Sequence, residues 1–499
     1  MTIKRIFLTG ATGSMGMTTL NVLLSDTAYD LVLLVRESKL YRKLIRLYLN
    51  YPRIQDVFGD LTVYEDVLRC VTGVDVILHC GALVSPLADD YPELAMKVNY
   101  GSMMHLIRAI KAQPHPDDIR LISIGTVAQT GDRMPPIHWG QVGDPIKPSV
   151  HDYYAVSKIA AERLLIESGL KYWVSLRQTG ILSEKMAKIK DPIIFHNCLD
   201  NVLEYVTDYD SGVMMKNCCG DLPESFWGHI YNVGGGPSCR MSGIQLFKDM
   251  FESLGFKDVG DIIDSKWFAL RNFHGQYYLD SDVLNDYLKF RSQDKTYFYQ
   301  QYLKNLGLIV PLSRFINRLP EGQKLIGALI RQSFTQHLDK PRGPRYWFTH
   351  NKEDYIVPFF ISKDHWAQIP PLQKFPHFTD WDTVIPISRG YDSSKPEVEL
   401  TLDDVQQAAH FRGGKMHSTH MSKGDWTTKL DWSCAFGHHF KASPRLILEG
   451  GHWCPECERK SWNYHEIAKV NPFFAQVCIH CMTKTNPQLS IQNVSMKTV

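Results

Sequence analysis

The sequence predicts a doubly wound α/β domain at the N-terminus, followed by a smaller substrate lobe and a C-terminal zinc-binding module. Between Ile3 and about Gly180, short apolar segments alternate with helical segments, and this alternation predicts a parallel sheet with helices on both faces. An aromatic-rich stretch that extends to about Gln332 indicates the lobe. Clustered cysteines near the C-terminus indicate the metal module.

The strand candidates are RIFLTG, DLVLLVR, VDVILHC, IRLISIG and YWVSLR, with HIYNVGGG further along. Later in the chain, LTLDDVQQAAHFRGG predicts a helix that Thr401 caps and Gly413 or Gly414 ends. We therefore divide the chain into residues 1–335 (parallel-sheet core about 1–235, interleaved lobe about 236–335), a connecting region 336–424, the metal module 425–485 and a disordered tail 486–499.

Composition narrows the class of protein. The 499 residues are enough for roughly two to four domains. The chain is 44% hydrophobic and 22% charged, with a net charge of +2, which is typical of a globular protein without a general bias toward nucleic acid. We find no secretory leader and no apolar run of about 18 residues, so we expect a cytoplasmic protein that binds a small-molecule substrate.

A glycine-rich turn predicts the cofactor site. In TGATGSMG, Gly10, Gly13 and Gly16 follow a predicted strand and precede a predicted helix, the arrangement that brings a pyrophosphate to a helix N-terminus in Rossmann domains. The candidate cofactor residues on this turn and on the following strand ends are Gly10, Thr12, Gly13, Ser14, Met15, Gly16, Asp60, Leu61, Cys80, Gly81 and Ala82.

The strand end LLVRES bears on the choice of nicotinamide cofactor. An acidic residue at this point would bind the ribose diol of NAD, whereas this chain has Arg36, which suits a 2′-phosphate. Glu37 follows directly and weakens the distinction. We predict NADP, with NAD as the alternative.

The segment HDYYAVSKIAAERLL supplies the candidate catalytic pair. Tyr154 and Lys158 are four residues apart on a predicted helix, so they share a face. A tyrosine has an unperturbed pKa near 10, and a neighbouring ammonium would lower it. Tyr154 is therefore our candidate proton donor or acceptor. Tyr153 has Ser157 at the same spacing, so the pairing favours Tyr154.

These motifs together resemble the extended short-chain dehydrogenase/reductase family, which includes nucleotide-sugar epimerases and dehydratases and hydroxysteroid dehydrogenases. The motifs are TGATGSMG, GDL, HCGA, VNYGSMMHLI, ISIGTVAQTG, YAVSK, LRQTGI and IYNVGGG. The resemblance implies that Thr126 binds the substrate oxygen, that Tyr154 and Lys158 (which also binds the cofactor) carry the chemistry, and that Asn99 supports the site beside Arg177.

Two departures from the family pattern weaken the interpretation that the substrate is a nucleotide sugar. Thr130 replaces the family's usual tyrosine, and Gln178 replaces its usual proline. Our leading hypothesis is an NADP-dependent oxidoreductase that transfers hydride to or from a carbonyl or secondary alcohol of a small, apolar or polycyclic substrate. The alternatives are an epimerase or dehydratase that retains NAD, and a non-catalytic NADP-sensing scaffold.

The C-terminal segment CAFGHHFKASPRLILEGGHWCPEC predicts a structural zinc site with Cys434, His438, Cys454 and Cys457 as ligands. His439 and His452 are alternative imidazoles, and Cys478 with Cys481 forms a second pair without an evident partner pair. The segment resembles small zinc-ribbon or treble-clef modules. Because acidic residues offset its basic ones, we expect it to dock a protein or stabilise an oligomer and not to bind nucleic acid.

The segment Leu303–Phe334 mixes apolar and basic residues. Our preferred interpretation is a pair of helices packed on the core, and contact with a membrane surface is the alternative.

The family resemblance makes a homodimer possible.

Overall fold

A computed structural model describes residues 4–478, with the exception of residues 27, 47, 49–50, 185, 187–190, 320, 376–377 and 460–461. The predicted tail 486–499 and Cys481 lie outside this range. The strands are β1 (Lys4–Thr9), β2 (Tyr29–Val35), β3 (Ile54–Phe58), β4 (Val76–His79), β5 (Arg120–Thr126), β6 (Trp139–Gly140), β7 (Tyr172–Gln178), β8 (Ile181–Leu182), β9 (Val202–Glu204), β10 (Val206–Thr207), β11 (His229–Val233), β12 (Arg240–Ser242), β13 (Tyr277–Tyr278), β14 (Lys415–Met416), β15 (Leu430–Ser433) and β16 (His439–Ala442).

The α-helices of the first two-thirds of the chain are α1 (Ser14–Leu24), α2 (Lys39–Ile45), α3 (Tyr64–Val71), α4 (Leu87–Asp90), α5 (Pro92–Ala95), α6 (Gly101–Lys111), α7 (Tyr153–Ile166), α8 (Asp208–Asn217), α9 (Gly243–Glu252), α10 (Ser281–Leu288), α11 (Lys295–Leu306), α12 (Ile309–Ile316) and α13 (Gly322–Leu338). They are followed by α14 (Pro344–Thr349), α15 (Glu353–Phe360), α16 (Lys363–Ala367), α17 (Leu402–Phe411), α18 (Pro455–Arg459), α19 (Tyr464–Val470) and α20 (Pro472–Ala475).

Seven strands form one parallel sheet in the order β3, β2, β1, β4, β5, β7, β11. The sheet grows outward in both directions from β1 and β4, which is the doubly wound arrangement that the sequence predicts. Its central strands are almost wholly apolar and buried, as expected of strands covered on both faces. Ligands of such sheets bind where the strand order reverses, beyond the carboxyl ends of the strands.

The substrate lobe has its own apolar core and extends further than the sequence indicates. Aromatic and aliphatic side chains from α9 and from Phe268 pack together with those of α14 and α15. The same core continues to Phe375, so the boundary placed at residue 335 is too early. Continuous apolar packing holds α13 to α16 in one unit. Helices α14, α15 and α16 have only 6, 8 and 5 residues, which is too short for a clear helical period in the sequence.

The C-terminal region consists of the antiparallel sheet β14–β15–β16 and the surrounding helices. The predicted helix at Leu402–Phe411 is confirmed, since the Thr401 side chain accepts a hydrogen bond from the Asp404 amide and Gly413 follows with a φ of +69°. This helix belongs to the core of the C-terminal region, so the region begins before residue 425.

One continuous apolar core joins the C-terminal region to the sheet domain. It includes Val405, Trp432 and Ile447 from the C-terminal region together with Ala161 and Leu165 of α7. The C-terminal region therefore covers one helical face of the sheet domain. Among the described residues, no helix is long and apolar enough to cross a membrane.

Candidate active site and metal centre

The loop between β1 and α1 has a shape that only glycine accommodates. Gly10 has a φ of +71°, and a Cβ there would lie 2.7 Å from the Gly81 Cα. A Cβ on Gly16 would lie 2.1 Å from the Gly10 carbonyl oxygen. No side chain caps α1 at Gly13, and Gly13 and Ser14 are exposed. A tight turn before an uncapped helix N-terminus fits the pyrophosphate of a dinucleotide.

The ends of the neighbouring strands supply the other predicted cofactor residues. Arg36 follows β2 with its side chain 80% exposed, and its Nη1 lies 3.6 Å from Asp60 Oδ2, beyond the end of β3. The other predicted residues of this group, which lie on α1 or on the loops after β1, β3 and β4, are Thr12, Met15, Leu61, Cys80 and Ala82. Arg36 is positioned at the edge where the carboxyl ends of the parallel strands meet.

Tyr154 and Thr126 lie together at the carboxyl end of the sheet. Thr126 is the last residue of β5, Tyr154 belongs to the first turn of α7, and their hydroxyl groups are hydrogen-bonded. Burial raises the pKa of Tyr154 to about 12, although the Thr126 hydrogen bond opposes the shift. The phenol is therefore protonated at neutral pH, and in this state it can donate a proton.

Lys158 lies one turn further along α7 and is 3% exposed. Burial lowers its pKa to about 8, and the Glu162 carboxylate opposes the shift. The sequence led us to expect that Lys158 would lower the pKa of Tyr154. The structure differs, because burial controls the pKa of Tyr154 and the nearest counter-charge of Lys158 is Glu162.

Glu162 is a functional candidate that the sequence analysis missed. Burial acts to raise its pKa, but Arg177 and His452 hold the pKa well below its usual range. Its carboxylate accepts hydrogen bonds from Arg177 Nη2 at 2.6 Å and Ser175 Oγ at 2.6 Å, and it lies 3.1 Å from His452 Nε2. The spacing of four residues from Lys158 is a signal that could have identified it.

Asn99 ties α7 to the loop that follows β4. It is 1% exposed, lies on a π-helical turn at Met96–Tyr100, and its Nδ2 donates to Ser157 Oγ at 2.8 Å. Its side chain also forms hydrogen bonds to both the amide and the carbonyl of Leu83. Asn99 thus fixes the position of α7 and does not touch the Tyr154 hydroxyl.

Four predicted metal ligands converge in the C-terminal region. Cys434 follows β15, His438 precedes β16, and Cys454 and Cys457 lie at the start of α18, with all ligand atoms within 4.8 Å of one another. His438 Nδ1 is 3.3 Å from Cys434 Sγ, 3.4 Å from Cys454 Sγ and 3.5 Å from Cys457 Sγ. A tetrahedral zinc ion would separate nitrogen from sulfur by about 3.6 Å, so the donor set fits zinc.

The other imidazoles and thiols point elsewhere. His439 stacks on His417 with a ring separation of 5.2 Å, and His452 is fully buried against Glu162. Cys478 is disulfide-bonded. Hydrogen bonding from Cys457 lowers the pKa of Cys454 to about 6, which favours the thiolate that a metal requires.

The segment between the ligand pairs makes direct polar contacts with α7, which carries Tyr154 and Lys158, and with β7. Arg163 donates to the Trp453 carbonyl at 2.6 Å, and Arg177 donates to the Gly450 carbonyl at 2.6 Å. At the end of α7, Ser443 Oγ donates to Glu167 at 2.7 Å. The C-terminal region and the catalytic helix therefore share buried charges as well as apolar packing.

Comparison with known proteins agrees with this arrangement. Residues 6–190 match the model of the NAD dependent epimerase/dehydratase family. A 3-beta-hydroxysteroid dehydrogenase of Mycolicibacterium neoaurum is 24% identical over 210 residues, which are 40% of this chain and 52% of that protein. A UDP-glucose 4-epimerase of Rickettsia bellii is 28% identical over 113 residues, 21% of this chain and 32% of that protein. The matches thus span about a third to a half of these relatives.

Among solved structures, the chain is similar to UDP-glucuronic acid 4-epimerase from Bacillus cereus, with a TM-score of 0.48, 17% identity and coverage of 60% of this chain and 99% of that chain. It is also similar to dTDP-glucose 4,6-dehydratase from Bacillus anthracis, with a TM-score of 0.49, 15% identity and coverage of 62% and 99%.

Residues 6–190 match the model of the NAD dependent epimerase/dehydratase family, and the sheet order and the glycine turn agree with the family that the motifs resemble. The C-terminal region from about residue 400 lies outside the family match.

Proposed function

We propose that the protein is a nicotinamide-dependent reductase of a carbonyl group. The observation that carries this proposal is the hydrogen-bonded pair of Thr126 and protonated Tyr154, which lies at the same edge of the sheet as the glycine turn. The substrate class we favour is a small apolar or polycyclic ketone.

The residues around the glycine turn fit a dinucleotide, because Gly10 and Gly16 allow a turn that is too tight for a Cβ and α1 presents uncapped amides. When bound, the nicotinamide supplies a hydride. We propose NADP as the preferred cofactor, because Arg36 is exposed at the strand end and can bind a 2′-phosphate.

The chain's own residues act on the substrate oxygen. Thr126 orients the oxygen, and Tyr154 donates its hydroxyl proton as negative charge develops there. By the family resemblance, the Lys158 ammonium would hold the nicotinamide ribose, and it stays charged at neutral pH because the Glu162 carboxylate opposes the effect of burial on its pKa. These interactions are stronger in the transition state than in the ground state, and this difference is what accelerates the reaction.

Substitution Tyr154→Phe tests the assignment. It should lower kcat by about 10²- to 10⁴-fold on any ketone that the native protein reduces, because the proton donor is lost. Binding of the reduced cofactor, measured by the cofactor's fluorescence, should be unchanged. Tyr153→Phe is the matched control on the neighbouring residue. An activity that survives in Tyr154→Phe would contradict the assignment.

The nucleotide that purifies with the protein distinguishes the reductase from the alternatives. Denaturing the protein and identifying any released nucleotide should give little or none for a reductase that exchanges its cofactor. Near-stoichiometric NAD would favour the epimerase or dehydratase. Cofactor binding without turnover of any ketone or sugar nucleotide would favour the non-catalytic sensor.

We further propose that Cys434, His438, Cys454 and Cys457 hold a structural zinc ion. Their four donor atoms would complete a tetrahedral shell, which leaves no position for a substrate. The role of the ion is to fix the Gly450–Trp453 segment, which contacts the catalytic helix. In this proposal, the zinc module docks within its own chain.

A further inference from the structure

The adjoining helices α12 and α13 carry a stripe of exposed apolar side chains. Those of α12 and its ends are Leu308, Ile309, Leu312, Phe315 and Leu319, which are 87%, 58%, 59%, 62% and 48% exposed; those of α13 are Leu325 and Leu329, at 63% and 61%. Spacings of three and four residues align each set along its helix. We call these seven residues the apolar stripe.

The opposite faces of both helices are already packed on the lobe. Ser313 Oγ and Asn317 Nδ2 donate to the Leu254 carbonyl at 2.9 and 3.0 Å. In α13, Gly327 faces Phe256 and Asp261, while Phe334 packs on the lobe core. The apolar stripe is therefore what remains after the helices have used their core-facing sides, and no other part of the chain that the structure describes covers it.

The segment that carries the stripe is mainly basic, and within it Arg314 donates to the Ser253 carbonyl while Arg331 lies near Asp264 of the lobe. The segment Leu303–Phe334 contains five lysine or arginine residues and one acidic residue, whereas the whole chain has a net charge of +2. Arg318 directly precedes Leu319, and Lys324 directly precedes Leu325. Exposed leucine and phenylalanine flanked by lysine and arginine suit a surface that is apolar inside and anionic at its face.

We propose that the apolar stripe docks the protein on an anionic lipid surface. The leucine and phenylalanine side chains enter the boundary between headgroups and acyl chains, and the flanking basic side chains contact the anionic headgroups. The helices lie in the plane of the membrane, since α12 has eight residues and no helix among those described is long and apolar enough to cross a bilayer. This proposal does not depend on the reaction proposed above.

Co-sedimentation of the full chain with vesicles tests the proposal. The protein should bind vesicles of phosphatidylcholine with phosphatidylserine more tightly than vesicles of phosphatidylcholine alone, and added salt should weaken the binding. The variant Leu308→Ser/Leu312→Ser/Phe315→Ser should lose at least about tenfold in vesicle affinity because three apolar anchors are removed.

The control is Val398→Ser, which removes a 73% exposed apolar side chain that lies outside the stripe. Its vesicle binding should equal that of the native protein, and equal melting temperatures would show that both variants are folded. Light scattering tests whether another molecule covers the stripe instead. A stripe-dependent dimer that does not bind vesicles would overturn the proposal in favour of a second copy of the chain. A monomer that binds no vesicle would overturn it in favour of a protein partner.

Discussion

Glu162 links Lys158, the proposed active-site lysine, to the rest of the molecule. Its carboxylate faces Lys158 on one side and lies against Arg177 and His452 on the other. Because Glu162 does not face the Tyr154 hydroxyl, we assign it as a positioning residue that keeps Lys158 charged.

The contact between Glu162 and Lys158 predicts how the rate of the proposed reaction changes with pH. The pKa of Lys158 is about 8, so the rate of ketone reduction should fall as the pH rises above that value and the ammonium loses its proton. Glu162→Gln removes the charge that opposes the shift, so the fall should begin at lower pH, with about a tenfold loss for each unit of displacement.

The pH profile of kcat/KM measures this effect. The matched control is Glu167→Gln, because Glu167 also contacts the C-terminal region, through Ser443, without facing Lys158. Equal profiles for the two variants would show that Glu162 acts only in packing.

Substitution of Arg36 tests the proposed preference for NADP. Arg36→Ala should raise the KM for NADPH by about tenfold or more, because the charged donor to the 2′-phosphate is lost, and should leave the KM for NADH nearly unchanged. Arg42→Ala is the control, since Arg42 is similarly exposed and pairs with Glu37. Equal losses with the two cofactors in steady-state kinetics would contradict the NADP preference.

At the scale of elements, α7 is shared between two regions. Its N-terminal half carries Tyr154 and Lys158, and its C-terminal half contacts the segment that runs between the metal-ligand pairs. A change in the metal site should therefore reach the catalytic helix.

Zinc removal tests this connection. Cys457→Ser should abolish the one zinc per chain expected from elemental analysis and lower the melting temperature by about 5 °C or more, because the Gly450–Trp453 segment loses its anchor. Hydrogen exchange of the α7 amides should accelerate. His439→Ala is the control, since His439 stacks on His417, and zinc loss in that variant would indicate a different ligand set.

At the scale of the whole molecule, buried carboxylates hold the C-terminal region on the sheet domain. Burial acts to raise the pKa values of Glu162 and Glu449, but basic partners, of which His452 and His229 lie across the contact, keep both below their usual range. Arg177 and His452 face Glu162, and His229 and Arg445 face Glu449.

A carboxyl with a lowered folded-state pKa stabilises the folded protein above its unfolded-state pKa of about 4.3. That stability is lost as the pH falls through the folded-state pKa. Docking should therefore persist at neutral pH and weaken as the pH drops below about 4. Trp432 and Trp453 lie in the docked region, so acid titration followed by tryptophan fluorescence measures the loss, and a transition centred near neutral pH would contradict it.

Sequence alone was enough to predict the sheet domain, the glycine turn, the helical spacing of Tyr154 and Lys158, and the cysteine pairs around His438. Local rules fix these features, since strand and helix periodicity, glycine requirements and ligand spacing all operate within short stretches of chain. The resemblance to a family added Thr126 and Asn99, and the structure places both beside the catalytic helix.

The surroundings of these residues depend on how distant parts of the chain pack together. The contact of Glu162 with His452 spans 290 positions, and the protonated state of Tyr154 follows from burial. The core of the lobe extends to Phe375, while the stripe from Leu308 to Leu329 is left exposed. Burial and long-range pairing depend on which surfaces meet when the chain folds, and no short stretch of sequence specifies them.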